Sequence, residues 1–166
     1  MLKTRLIQAA IVVAVVAAVG GAALATPGSG ILSAQVFARG AFAEPVDLKF
    51  KLRPDSAEIL HVPSAQDTVV QQVVIAPGGT TGWHSHPGPV VVVIASGELK
   101  FYSSESTSCA ATTYAAGQAF VDSGQGHVHI ARNEGTENVV LWATYFDVPP
   151  GQPFRIDAPR PGNCPF

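Results

Sequence analysis

The stretch GGTTGWHSHPGPVVVVIASG, residues 78–97, decides the fold. In its second half, Val90–Ile94 is apolar at every position and is soon followed by Gly97. A short, continuous apolar run of this kind is typical of a β-strand that is covered on both faces. In its first half, His84 and His86 share one face if the chain is extended, because side chains alternate along a strand. The stretch therefore predicts a buried strand preceded by two histidines that aim at one point.

The chain after residue 46 repeats this pattern, with short β-like runs about every ten residues and turn residues between them. No stretch of it combines helical periodicity with a helix cap. The pattern predicts an all-β antiparallel sandwich or barrel that forms one domain over residues 46–166. The remaining runs are Val46–Leu52, Thr68–Ile75, Leu99–Tyr102, Ala111–Tyr114, Gln118–Val121, His127–Ala131 and Val139–Phe146.

Residues 1–25 have the pattern of a secretory signal peptide. Lys3 and Arg5 precede the apolar segment Leu6–Ala25, which ends in a small-x-small triplet suited to cleavage. The alternative is an uncleaved membrane anchor, because this segment of 20 residues can just span a bilayer. Either way we expect a secreted or extracytoplasmic protein, with no membrane contact once the signal is cleaved. Residues 26–45 begin with small residues and predict a flexible leader.

Charge and cysteine content narrow the function classes. The chain has 10 Lys and Arg against 12 Asp and Glu, with no basic cluster, which argues against nucleic acid and anionic membranes as partners. Cys109 and Cys164 are the two cysteines, and in an exported chain they predict a disulfide. Neither lies in a CxxC motif or beside a histidine, which argues against a catalytic thiol. The bridge would stabilise the fold by roughly 3–4 kcal/mol.

A second His-x-His pair, His127 and His129, follows another glycine-containing loop. Two such pairs on facing strands can converge inside a barrel, and a cluster of neutral imidazoles binds first-row divalent metals. The alternative is that each histidine is a surface or capping residue. His61 has no partner nearby in the sequence and is predicted to be structural.

The strand Val90–Ile94 also predicts a pocket. Val90, Val92 and Ile94 lie an even number of residues after His84 and His86, so they should face the same side. They should therefore line the barrel interior beneath the metal. Such a pocket would suit a small organic ligand, or these side chains would simply pack against each other.

At these residues the sequence resembles the cupin superfamily, and in particular the small secreted single-domain cupins of actinobacterial type. The first cupin motif, G-x5-H-x-H-x3,4-E-x6-G, is matched by Gly78, His84, His86 and Gly97. The second, G-x5-P-x-G-x2-H-x3-N, is matched by Gly117, Gly126, His129 and Asn133, with one extra residue near the usual proline. The resemblance implies a double-stranded β-helix (jelly-roll) barrel, and it implies that His84, His86 and His129 bind a divalent transition metal (Fe, Mn, Zn, Ni or Cu). It also implies a homodimer as one oligomeric state, since cupins often dimerise.

The chain departs from the first motif at Val90, which stands where the family has glutamate. Three neutral histidines would leave the metal with its full charge, which favours a bound anion or substrate oxygen at an open position. A glutamine, Gln71 or Gln72, could replace the missing oxygen ligand. His127 is a candidate fourth ligand or catalytic acid/base, with a solvent-facing histidine as the alternative.

Three functions follow from these residues. The first is a small-molecule metalloenzyme of dioxygenase, isomerase or lyase type. The second is a non-catalytic module that binds a metal or small ligand outside the cytoplasm. The third is a degenerate cupin in which the remaining histidines are structural. The fold resemblance alone does not choose between them, because one fold hosts many chemistries.

Overall fold

The computed structural model describes residues 25–52 and 59–166. Over these residues the chain forms twelve β-strands and no helix, so the all-β prediction is confirmed. The strands are β1 (Ser29–Gly40), β2 (Leu48–Phe50), β3 (Leu60–Val62), β4 (Asp67–Thr80), β5 (His84–Ser85), β6 (Val90–Ser96), β7 (Glu98–Ser103), β8 (Ala111–Ala115), β9 (Ala119–Asp122), β10 (His129–Arg132), β11 (Val139–Val148) and β12 (Ile156–Asp157).

The sheet is built around β4. Strands β1 and β11 pair with β4 on either side, β11 pairs with β6, and β6 pairs with β9, all antiparallel. Strand β10 connects β4, β5 and β7, so ten strands form one nearly closed barrel sheet. Strands β2 and β3 form a separate ribbon. This is the predicted jelly-roll arrangement.

The barrel core follows from the alternation of side chains along the long strands. Val69, Val73 and Ile75 of β4 are buried, and so are the residues of β11 at alternate positions from Val139 to Tyr145. Alternate residues on one face of each strand therefore fill the interior. Strand β6 was predicted to be covered on both faces, but Val93 on its outer face is 41% exposed. Its inner face alone is packed, as in a single-layer barrel wall.

The prediction of a flexible leader over residues 26–45 is wrong for Ser29–Gly40. This segment is β1, and it pairs with β4 from Ser29 opposite Thr80 to Gly40 opposite Thr68. Without β1, that side of β4 would expose a long row of unpaired backbone groups. Ile31 also packs against the barrel core, so the folded domain begins before residue 46. The predicted signal peptide lies outside the described residues up to Leu24.

Cys109 and Cys164 form the predicted disulfide, with their Cα atoms 5.2 Å apart. The bridge holds the C-terminal tail against the barrel. There the Trp83 indole N–H donates to the Phe166 carbonyl oxygen at 2.7 Å. The tail thus covers Trp83, which is fully buried and does not line the barrel cavity. Nothing in the described part of the chain forms a helix long and apolar enough to cross a membrane.

Replacing Cys109 with serine should lower the free energy of unfolding by about 3–4 kcal/mol under oxidising conditions, because the unfolded chain regains the entropy that the cross-link removes. Urea unfolding of the wild type and of Cys109→Ser, with and without reductant, measures this. Reductant should bring the wild type down to the stability of the variant and leave the variant unchanged. Equal stability of the two oxidised proteins would contradict the prediction.

Candidate metal centre

The three histidines that the motifs single out meet at one point. His129 of β10 lies directly opposite His84 of β5 in the antiparallel register, so both side chains project to the same side of the sheet. Their ring centroids are 4.4 Å apart, and the ring of His86 lies 4.9 Å from His84 and 5.1 Å from His129. Each ring offers one nitrogen, and these three atoms lie within 4.8 Å of one another. All three side chains are buried.

Backbone carbonyls determine which ring nitrogen is available. Nδ1 of His84 lies 2.8 Å from the Gly82 carbonyl oxygen, and Nδ1 of His86 lies 2.7 Å from that of Phe154. Nδ1 of His129 faces the carbonyl oxygen of His127 at 3.3 Å. A carbonyl oxygen only accepts, so each Nδ1 must donate its hydrogen. Nε2 of each neutral ring therefore keeps its lone pair, which is the arrangement found around metal-ligating histidines.

Burial also keeps these rings uncharged. It lowers the pKa of His84 and of His129 well below the ordinary histidine value, and it lowers the pKa of His86. A metal binds the neutral imidazole, so the low pKa values favour ligation at neutral pH. The three donors, their tautomers and their charge state fit a divalent transition metal of the predicted kind.

His127 lies beside this cluster without joining it. Its ring is 5.7 Å from that of His129, but its Nδ1 contacts Asp122 Oδ1 at 2.8 Å and its Nε2 contacts Ser103 Oγ at 2.7 Å. Both ring nitrogens are thus engaged by other side chains. The hydrogen bond to Asp122 raises the pKa of His127. The carboxylate links the two histidines, since Asp122 Oδ1 also lies 3.5 Å from Nδ1 of His129.

Asp122 is the site residue that the sequence analysis missed. It is 4% exposed and, with His127 and His129, forms a second group of ligand atoms within 4.8 Å. Burial alone would raise the pKa of its carboxyl, but the hydrogen bond from His127 and the nearby histidines lower that pKa. The sequence did contain an indication of this role. Asp122 lies two residues after Phe120 on β9, so the two side chains share a face, and a glycine turn follows. An inward-facing carboxylate at a strand end is unusual unless it has a partner.

The cluster opens into a cavity of about 340 Å³. Val90 and Val92 line this cavity as predicted, whereas Ile94 does not: it packs deeper in the hydrophobic core. Gln71 faces inward, but its side-chain oxygen accepts a hydrogen bond from the Tyr145 hydroxyl at 2.8 Å. Because this oxygen is already hydrogen-bonded, Gln71 is less suited to replace the missing glutamate as a metal ligand. His61 is remote from the cavity and pairs with Asp47 on the surface.

Residues 71–149 match the Cupin_2 family model, a cupin domain. An uncharacterized conserved protein with a double-stranded beta-helix domain from Klebsiella pneumoniae is 21% identical, with a TM-score of 0.46; the match covers 73% of this chain and 90% of that one. No curated protein showed significant similarity to the chain.

Two further structural matches are to enzymes. An oxalate oxidase is 26% identical with a TM-score of 0.42, and the match covers 48% of this chain but only 41% of the oxidase chain. A sugar phosphate isomerase from the cupin superfamily, from Silicibacter pomeroyi, is 16% identical with a TM-score of 0.42; that match covers 50% of this chain and 52% of that one. The cupin-domain match covers slightly less than half of the chain, and all of it lies within the all-β barrel.

Proposed function

We propose that this protein is an exported metal-binding cupin in which His84, His86 and His129 hold a divalent transition metal and a small molecule binds in the cavity beside it. The observation that carries the proposal is the set of three buried Nε2 atoms, each left with its lone pair by a backbone carbonyl at Nδ1. Three protein ligands leave coordination positions open, as in catalytic metal sites.

A metalloenzyme of dioxygenase, isomerase or lyase type is the activity that this site would serve best. A bound metal would supply Lewis-acid polarisation or a place for oxygen to bind. The chain itself would orient the substrate and exclude water with apolar side chains such as Val92, Leu99 and Phe120. The Asp122–His127 pair would hold charge at the edge of the cavity.

A non-catalytic module that binds a metal or a small ligand is the second candidate. It is favoured by the polar groups of the cavity, which already bond to one another: Tyr145 donates to Gln71, and His127 bonds Asp122. Incubating the Fe²⁺-loaded protein with a panel of small organic acids and enols, and following both oxygen consumption and product formation by chromatography, separates the two. Oxygen consumption or product formation above that of the free metal supports the enzyme, and tight binding without turnover supports the module.

Export is part of the proposal. The disulfide between Cys109 and Cys164 indicates an oxidising compartment, where such bridges persist. The N-terminal residues have the composition of a signal peptide. Mass spectrometry of the protein from culture medium of its expression host tests both, since cleavage after Ala25 would leave Thr26 as the first residue.

Metal content tests the site directly. Protein purified without a histidine tag should carry about one equivalent of transition metal by mass spectrometry of the metal. Replacing His84 or His129 with alanine should remove nearly all of it, because two remaining ligands bind weakly. His61→Ala is the matched control and should keep the metal, since His61 lies on the surface beside Asp47. A wild-type protein that takes up no added Zn²⁺, Fe²⁺ or Co²⁺ would refute the proposal.

Replacing Asp122 with asparagine should weaken Zn²⁺ binding by roughly 10–100-fold, the usual effect of losing a carboxylate that supports a histidine ligand. The size of the side chain is preserved, so the effect should come from the lost charge beside His129 Nδ1. Competition with a chromophoric chelator gives the affinity. Asp47→Asn serves as the control, since Asp47 is exposed and pairs only with surface groups. Unchanged affinity in Asp122→Asn would show that the carboxylate does not support the ligand.

A further inference from the structure

The side of the cavity beside His84 carries an arginine that the cupin motifs do not include. Strand β12 pairs with β5, and Asp157 lies directly opposite His84 in the register. Arg155 has the same parity as Asp157, and both side chains line the cavity together with His84 and His86.

The guanidinium of Arg155 is held in one orientation. Nε lies 2.8 Å and Nη2 2.7 Å from Oδ1 of Asp157, and Nη2 also donates to the Thr81 carbonyl oxygen at 2.7 Å. One edge of the planar group is thereby occupied. Within the described part of the chain, Nη1 has no hydrogen-bond partner, so its two hydrogens remain available. A guanidinium restrained in this way loses little entropy when it binds a ligand.

The charged groups that line the cavity already have partners. Arg155 pairs with Asp157, and Asp122 pairs with His127. The three histidine ligands are neutral, so a bound divalent ion would keep both of its positive charges. An anionic ligand is therefore favoured at the open coordination positions.

Apart from Thr81 and the mutually hydrogen-bonded Gln71 and Tyr145, the remainder of the wall is apolar. It is formed by side chains that offer no hydrogen bonds, among them Val73, Val92, Leu99, Phe120, Leu141 and Phe154. The volume of about 340 Å³ is in the range of sites for small organic molecules. A ligand that matches this surface has one anionic head and an apolar body.

We infer that the site takes a small organic carboxylate with an apolar body, whose carboxylate is shared between the metal and Nη1 of Arg155. This inference rests on the proposed metal site. A carboxylate matches a guanidinium donor and a divalent cation at once, because it is charged, whereas a neutral carbonyl gains less from either. Arg155 would act as a specificity-determining residue that selects the charge and direction of the ligand.

Benzoate and benzamide bound to the Co²⁺-loaded full-length protein provide the test, since they share a shape and differ in charge. Calorimetry and the visible spectrum of Co²⁺ both report binding. The wild type should bind benzoate at least about tenfold more tightly than benzamide, and Arg155→Met should lose about tenfold or more in benzoate affinity. Arg160→Gln is the matched control. Arg160 is exposed and bonds only the Pro165 carbonyl, so this variant should behave as wild type.

If the protein takes up metal, the proposed function stands, and any one of three outcomes would still overturn the inference. These are equal binding of benzoate and benzamide, binding of neither, and unchanged benzoate affinity in Arg155→Met. If Arg155→Met does not load Co²⁺, Arg155→Lys is tested in its place. Loss of the planar guanidinium should again weaken benzoate binding. Unchanged benzoate affinity would count against the role of Arg155. A wild type that fails to load Co²⁺, Zn²⁺ or Fe²⁺ would overturn the proposed function and this inference together.

Discussion

Acidification from about pH 6.5 to about pH 5.5 is expected to destabilise the metal-free protein by several kcal/mol. The cause is the buried cluster of His84, His86 and His129, whose pKa values all lie below the ordinary 6.5 in the folded state. As the pH falls below about 6.5, these histidines become protonated in the unfolded chain but stay neutral in the folded chain. Three such groups give a slope of up to about 4 kcal/mol per pH unit.

Two neighbouring groups titrate outside this window. His127 has a raised pKa, so the stability it contributes is lost only as the pH rises through that value, above 6.5. Asp122 has a lowered pKa, and its contribution is lost only as the pH falls below about 3.8. Neither group offsets the loss of stability between these limits.

Urea unfolding at several pH values, in the presence of a chelator, measures the slope. His129→Gln should reduce the slope, because one buried group no longer titrates. Saturating Zn²⁺ should shift the loss of stability to lower pH, since the metal competes with protons for the ring nitrogens. A metal-free protein whose stability is flat between about pH 7 and 5 would show that these histidines are accessible to protons in the folded state.

Replacing Gly124 with alanine is expected to cost more than about 4 kcal/mol and to disturb the centre. Gly124 has a φ of +59°, and an added Cβ would overlap the backbone carbonyl oxygen of Gly88. Backbone atoms cannot move aside as a flexible side chain can, so the loop that delivers His127 and His129 must shift. Loss of metal binding should accompany the loss of stability.

Gly126→Ala is the matched control for this prediction. Gly126 lies in the same loop with a φ of +87°, but no atom lies within 4 Å of an added Cβ. It should therefore show only the backbone penalty, about 1–2 kcal/mol, with the metal affinity largely kept. Thermal unfolding and Zn²⁺ titration of both variants give the comparison. Equal effects of the two substitutions would mean that the contact between Gly124 and Gly88 is not tight in solution.

Much of the centre could be predicted from local patterns. Side chains two apart on a strand share a face, so His84 and His86 were certain to point together wherever that strand lies. Glycines such as Gly97 and Gly126 occupy positive-φ turns, where other residues are disfavoured. The pairing of Cys109 with Cys164 followed from count and compartment alone, because two cysteines allow one intramolecular bridge.

Predictions failed where composition was the only guide. The small residues before Ile31 predicted a flexible leader, yet Ser29–Gly40 forms a strand because β4 offers it a partner. Strand pairing is decided by a neighbour distant in the sequence, and local composition carries no trace of it. Ile94 has the parity of Val90 and Val92 but lies too far along β6 to reach the cavity.

The β-barrel class and the disulfide followed from the sequence by itself, because they depend on residue type and short-range spacing. The choice of His84, His86 and His129 followed from the resemblance of the sequence to the cupin motifs. The tertiary structure alone decided the roles of Asp122 and Arg155, and which nitrogen of each ring is available. These depend on contacts between strands far apart in the chain, such as Arg155 with the Thr81 carbonyl. Such contacts exist only after the barrel has closed, since it is the closed sheet that brings β5, β9, β10 and β12 around one cavity.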